Sequence, residues 1–253
     1  MFMTYVCAIL FNFQTTKCKD LGFIIPPIDQ SEQVLNSASG QQKYLDGEKI
    51  RLLVWNIYKS EKENWSEDFT TFAKDSDIML IQEAHLNPLF INTLHALKNY
   101  NFIHATSFIF KKDMLATGTL IGSPYVIDKS SMLRTPKTEP FIHTPKTISL
   151  GLFPLQQTQE QLLVLNIHGL NATKTSDFEE QINSTSTLLK NHHGPIIFAG
   201  DFNTRNKRRT KFLLQFMAKH KLLEVSWNND QRMQFLGNPL DHVFVKNLKV
   251  LKS

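Results

Sequence analysis

The chain has almost no cysteine. Cys7 and Cys18 are the only two in 253 residues, and both lie near the N-terminus. A disulfide framework for the body is excluded, and a reducing compartment, the cytoplasm, is the expected location. Long apolar runs are also missing. The longest, Tyr5–Phe13 (YVCAILFNF), is well short of the ~20 residues of a membrane span, so no stable membrane insertion is expected. As a signal-peptide core it lacks a Lys or Arg in Met1–Thr4 and a following small-x-small cleavage site, which leaves secretion the weaker alternative. Glycine and proline are sparse at 10 each, which excludes collagen-like and low-complexity chains. With 42% hydrophobic and 20% charged residues, the composition is that of a globular protein able to bury a core unaided.

The net charge of +5 is unevenly spread. Residues 174–253 hold 13 Lys and Arg against 7 Asp and Glu, whereas residues 1–173 hold 15 against 16. The whole basic excess lies in the last third, where it suits an anionic partner.

Residues 1–47 combine the apolar patch with Pro26-Pro27 and a polar stretch, Asp29–Gln42. They read as an extension or linker before a domain covering 48–253. Four short unbroken apolar runs then predict strands buried on both faces: Arg51–Ile57, Asp77–Ile81, Leu162–Ile167 and Pro195–Ala199. Helices are predicted over Trp65–Lys74, Asn87–Lys98 with its Asn-Pro start, Phe178–Lys190 with Asp177 as N-cap, and the basic amphipathic Lys207–Lys221. Phe102–Pro154 reads as strands and turns. Two strands echo each other: LLVWNI at 52–57 and LLVLNI at 162–167 agree at five of six positions. Chance likeness of apolar strands and a two-sheet architecture with pseudo-equivalent halves both explain the echo.

Each buried strand ends in polar groups. The first ends at Asn56, the second at Gln82-Glu83, the third with Asn166, His168 and Asn171, the fourth with Asp201 and Asn203. Asp241 opens a last apolar strand. A carboxylate at the end of a core strand is costly unless paired or metal-bound. Hard oxygen donors such as Glu83, Asp201, Asp241 and Asn56 suit Mg²⁺ or Mn²⁺. Such a cation stabilises charge on a phosphoryl oxygen, and His168 is able to donate to that oxygen. Singly, each signal has an ordinary explanation: a salt-bridged Glu, a core His, a Gly-Asp turn capping a helix. Their joint order carries the reading.

That order, WNI at 55–57, IQE at 81–83, GTLIGS at 118–123, LNIHGLN at 165–171, AGDFN at 199–203 and LDHVFV at 240–245, resembles the DNase I-like endonuclease/exonuclease/phosphatase superfamily. WNIYK (55–59), EPFIHTPK (139–146) and NDQRMQFLGNPLDHVFV (229–245) look like an uncharacterised bacterial branch of it. The resemblance implies a four-layer α/β/β/α sandwich and a divalent-metal-dependent phosphodiester hydrolase, nuclease-like; its members act on DNA, RNA, phosphoinositides and sphingomyelin, so DNA or RNA is one expected substrate among these. It implies Glu83, Asn56 and Asp241 as the metal group, and His168, Asp201 and Asn203 as catalytic residues. Asn166, Asn171 and Arg205 are the phosphate-binding candidates. Arg205 opens a basic cluster with Lys207, Arg208, Arg209 and Lys211, read either as an electropositive wall or as a solvated helix face.

One departure stands against this. The family closes with a Ser-Asp-His segment, and none occurs here; Ser253 follows Val245 by eight residues. The expectation is a domain incomplete at its C-terminus, short of a closing strand and loop of roughly 25 residues. Its activity is then impaired, and the alternative is a catalytically degenerate member that binds an anionic partner. His242 reads as a neighbour of the site and not as the absent base. A calcineurin-type phosphoesterase also uses Gly-Asp, but its Asp-x-His and Gly-Asn-His motifs are missing.

Overall fold

The computed structural model describes residues 22–35 and 42–253. Cys7, Cys18 and the run Tyr5–Phe13 lie outside the described residues. The rest builds two six-stranded sheets, with helices on their outer faces.

The first sheet contains β1 (Phe23–Ile24), β2 (Glu32–Leu35), β3 (Leu52–Asn56), β4 (Ile78–His85), β5 (Asn101–Phe110) and β6 (Ala116–Ser123). Its order is β1-β5-β6-β4-β3, with β2 also paired to β5. The second holds β7 (Lys129–Arg134), β8 (Thr147–Pro154), β9 (Gln161–His168), β10 (Ile196–Asp201), β11 (Leu223–Glu224) and β14 (Asp241–Lys246) in the order β11-β14-β10-β9-β8-β7. A small hairpin, β12 (Gln234–Phe235) and β13 (Asn238–Pro239), stands apart. Each large sheet has one parallel pair, β3 with β4 and β9 with β10.

Strand alternation sorts the core into layers. Met79 and Ile81 of β4 pack with Trp65, Phe69, Phe90 and Leu94 of helices α1 (Trp65–Lys74) and α2 (Pro88–Ala96). Leu163, Leu165, Ile196 and Phe198 pack with α3 (Thr175–Asn183), α4 (Ser186–Asn191) and α5 (Lys207–Lys219). The opposite faces meet: Ile78 and Leu80 from one sheet touch Val164, Ile197, Ala199 and Val243 from the other. This is the expected four-layer α/β/β/α sandwich.

Two expectations change. The segment read as a linker supplies β1 and β2, both antiparallel to β5, and buries Leu45 against the second sheet. At two and four residues, these strands are too short to show alternation in sequence. The helix expected over Phe178–Lys190 is two helices, broken at Ser184 and Thr185, whose hydroxyls donate to Gln181 O and Ile182 O. Hydroxyls that bond back to the preceding turn bend or interrupt a helix. The N-cap position falls on Lys174, and Asp177 sits in the first turn.

Candidate active site at the strand ends

Alternation aims the polar strand ends. In β3, Leu52 and Val54 face the inter-sheet layer, so Asn56 does too. In β9, Leu162 and Val164 lead to Asn166 and His168; in β10, Ile197 and Ala199 lead to Asp201; in β14, Val243 and Val245 share a face with Asp241. Glu83 breaks this pattern. Two residues beyond Ile81, it would face the helices. A bulge between Ile81 and Ala84, with Glu83 at φ 52°, adds one residue to β4 and turns the carboxylate the other way. Gly200, at φ 136°, lets β10 pass close to Ile167, where a Cβ would lie 2.2 Å from the Ile167 carbonyl oxygen.

The result is one cleft of about 1020 Å³. It is lined by Asn56, Glu83, His168, Asn171, Asp201, Asn203, Arg205 and Asp241, all expected from the sequence. Asn166 is not among them. It is fully buried one layer below; its Oδ1 accepts from Gln82 Nε2 at 2.6 Å, and its Nδ2 donates to Ile81 O and Leu120 O, both at 3.0 Å. Asn166 pins the two sheets together and is removed from the phosphate-contacting group.

Asn56 is the hinge of the cluster. Its Nδ2 donates to Asp201 Oδ2 at 3.0 Å and to Glu83 Oε1 at 3.3 Å, while its Oδ1 accepts from Tyr58 N. His168 Nε2 stands 3.9 Å from both carboxylates. Lys59 Nζ donates to Glu83 Oε2 at 2.7 Å. Lys59 comes from a turn in which Tyr58, Lys59 and Ser60 all have left-handed φ, at 53°, 54° and 64°. Asn203, also left-handed at φ 53°, donates from Nδ2 to Gly169 O, and its backbone N–H donates to Asp201 Oδ1 at 2.9 Å.

Burial opposes charge throughout the floor, and the local partners decide the outcome. Against its own burial, Glu83 is held down to about 2 by the His168 ring and by the Lys59 ammonium. Burial and the Lys146 charge push His168 down to about 3. His168 is therefore neutral at neutral pH, and Lys59 is the cation that keeps Glu83 ionised there. Burial pushes Asp201 up against the pull of Asn56 and the Asn203 N–H. Asp241, its cross-strand partner, is pushed up by burial and by the Asp201 charge.

Several site residues were quoted in motifs without a role. Lys59 sits in WNIYK. Lys146 and Glu139, paired at 3.3 Å, bracket EPFIHTPK. Both basic residues are single cations in polar runs, and only the fold shows that they reach the cleft. Arg205 stacks over Phe235 at 4.4 Å. Arg209, counted in the basic cluster, is buried instead; its guanidinium donates to Leu170 O at 2.7 Å, Asn203 O at 3.1 Å and Thr173 O at 2.8 Å. It braces the loops that carry Asn171 and Asn203. His242 is buried as well, with Nδ1 2.6 Å from Glu224 Oε1 and Nε2 2.7 Å from Thr204 Oγ1.

Among the described residues, no three His, Cys, Asp or Glu side chains form a ready-made metal cluster. The donors that do converge are hard oxygens, the Glu83 and Asp201 carboxylates joined by one amide, with Asp241 beside Asp201. That donor set fits a small hard cation such as Mg²⁺ or Mn²⁺. No helix among the described residues is long and apolar enough to cross a membrane.

The comparisons agree with this architecture. The model of the Endonuclease/Exonuclease/phosphatase family matches residues 53–253. A UPF0294 protein of Vibrio parahaemolyticus is 34% identical over 214 residues, covering 83% of this chain and 73% of the relative. A UPF0294 protein of Vibrio cholerae is 35% identical over 211 residues, with 83% and 73% covered. Among solved structures, an endonuclease/exonuclease/phosphatase family protein from Leptotrichia buccalis superposes with a TM-score of 0.57 at 13% identity, covering 79% of this chain and 88% of that one. The human Nocturnin catalytic domain, solved with a bound sulfate anion, gives 0.56 at 15% identity, with 88% of each chain covered.

Proposed function

The chain belongs to the endonuclease/exonuclease/phosphatase family, and from that premise we propose that it is a divalent-metal-dependent phosphodiester hydrolase. The family comprises nucleases, phosphodiesterases and phosphatases. The observation that supports the reading best is the bulge at Glu83. A left-handed non-glycine residue in a central strand is unfavourable, and its effect is to bring a carboxylate to the Asn56 amide and Asp201.

In this reading Glu83, Asn56 and Asp241 hold Mg²⁺ or Mn²⁺. Held there, the cation would supply charge neutralisation at a phosphoryl oxygen and a more acidic water. Asp201, raised toward neutrality and fixed by Asn56 and the Asn203 N–H, accepts a proton from the attacking water. Neutral His168 donates from its ring to a phosphoryl oxygen as charge develops there. Asn203 and Asn171 orient the substrate, and Lys59, Lys146 and Arg205 attract its negative charge.

The test is hydrolysis of bis-p-nitrophenyl phosphate, DNA and RNA with Mg²⁺ or EDTA. Glu83→Ala should lower turnover by about 10³-fold or more. Turnover unchanged in that variant, or in EDTA, sinks the proposal. The nuclease-like expectation is carried by the nucleic-acid arms. A second reading, anion binding without turnover, has one observation in its favour: Lys59 already neutralises Glu83. It expects no hydrolysis under any of these conditions.

A further inference from the structure

The rim of the cleft carries apolar side chains that the fold does not use. Phe141 is 93% exposed and Leu236 85%; beside them, Ile142 is 57% and Met233 68% exposed. Lone exposed apolar residues are ordinary. These four, however, sit on two loops, residues 139–144 and 233–239, and Ile142 and Met233 both line the cleft.

The backbone at each tip makes the choice of residue more unusual. Phe141 has φ 69° and Leu236 φ 49°, in the left-handed region that disfavours bulky side chains. Both tips are held from below. In the first loop, Ile142 N–H donates to Pro140 O at 2.8 Å and His143 N–H to Glu139 O at 2.9 Å. The buried Glu139 carboxylate there pairs with Lys146 and accepts from Asn171 N. In the second, Leu236 and Gly237, at φ 49° and 75°, occupy the centre of the β12–β13 hairpin, where such a turn favours Asn-Gly. At both positions asparagine would relieve the backbone and improve solubility. Strain retained with an exposed apolar side chain points to contact with something outside the molecule.

The surrounding charge narrows the partner. Arg205 faces the same cleft and stacks on Phe235, next to Leu236, while Arg232 there is paired with Asp230 and Glu224; exposed Lys207 and Arg208 follow at the start of α5, and residues 174–253 hold 13 Lys and Arg against 7 Asp and Glu. Nucleic-acid bases need flat stacking faces, and of the four tip residues only Phe141 offers one, whereas Leu236, Ile142 and Met233 do not. Apolar tips, one of them adjoining the Phe235 ring on which Arg205 stacks, in a region with a basic excess, suit the boundary between acyl chains and anionic head groups.

We propose that the rim docks the cleft on a bilayer containing anionic phospholipid. Phe141 and Leu236 enter the interfacial layer, and the phosphoester that reaches Glu83 belongs to a lipid head group. The docking stands alone; the substrate assignment rests on the hydrolytic reading above.

The test is co-sedimentation of the full chain with phosphatidylcholine vesicles, with and without phosphatidylglycerol. The wild type should partition onto the phosphatidylglycerol vesicles. The double variant Phe141→Asn/Leu236→Asn should partition about tenfold less or weaker still. Its thermal midpoint should hold or rise, because both substitutions suit a left-handed backbone. It should also keep bis-p-nitrophenyl phosphate turnover while losing turnover of vesicle phosphatidylglycerol. Glu83→Ala should bind vesicles as the wild type does, so docking and hydrolysis fail separately. Three results overturn the docking: no vesicle binding by the wild type, equal binding by the double variant, or a double variant that loses single-stranded DNA affinity in place of vesicle affinity. Vesicle binding without head-group hydrolysis, alongside turnover of the chromogenic ester, overturns the substrate assignment alone.

Discussion

The strands β3 and β9 carry nearly one sequence, LLVWNI and LLVLNI, and the fold uses them differently. Both place their asparagine on the inter-sheet face, and both run parallel to the next strand in their own sheet. β3 is an edge strand, so Asn56 is half-buried, opens on the cleft and touches two carboxylates. β9 lies between β8 and β10, so Asn166 is fully enclosed and its amide is spent on Gln82 and two strand carbonyls. In the second sheet the chemistry lies two residues further along, at His168 and Asp201. One local signature thus becomes a functional group at an edge and a structural pin at a centre.

The comparison has a direct test. Asn166→Ala should lower unfolding stability by about 3 kcal/mol, because it leaves Gln82 Nε2 with Leu80 O alone, removes the Asn166 donor from Ile81 O and Leu120 O, and opens a hole between the sheets. Denaturant titration measures this, and a loss below 1 kcal/mol would put Asn166 outside the structural role. The next effect contrasts buried histidines. His104 in β5 lies 3.1 Å from both Ala84 O and Thr106 Oγ1, and burial pushes it down to about 4. The unfolded chain takes up that proton near pH 6.5, before the folded chain does. Stability from this group is therefore full above about pH 6.5 and falls by about 3 kcal/mol as pH drops through 4. Comparing wild type with His104→Gln across that window isolates the effect from the oppositely shifted Asp201 and Asp241; identical pH profiles would contradict it. The smallest expected change is that of Asn56→Ala, at under about 1 kcal/mol in stability but about 10²-fold in turnover. Equal stability losses at Asn56 and Asn166 would erase the distinction.

Much of the scaffold was legible in the chain. The run Arg51–Ile57 became Leu52–Asn56, and Leu162–Ile167 and Pro195–Ala199 lie within or beside β9 and β10. The Asn-Pro start of α2 caps as expected, with Asn87 Oδ1 accepting from Phe90 N at 2.8 Å. Each of these follows from local chemistry. The misreadings share another cause. Asn166 looked like its counterpart Asn56 because depth in a sheet is not written in a six-residue window. Arg209 looked like one more surface cation because the carbonyls it holds come from loops more than thirty positions away, at Leu170 and Thr173. β1 and β2 escaped notice because an edge strand gains its regularity from β5, not from its own pattern.

The sequence alone determined where the strands lie and which of their residues share a face, since alternation with period two is a property of each strand by itself; it read β3 as buried on both faces, whereas β3 is an edge strand and all five of its residues are half-buried. It also determined that polar groups cluster at the strand ends. Only the tertiary structure decided which of those groups meet. Glu83 reaches Asn56 and Asp201 because β4 bulges against the register of β6, and because two sheets approach closely enough for one amide to span both carboxylates. Register and sheet separation are set by partners far along the chain, so no local window records them.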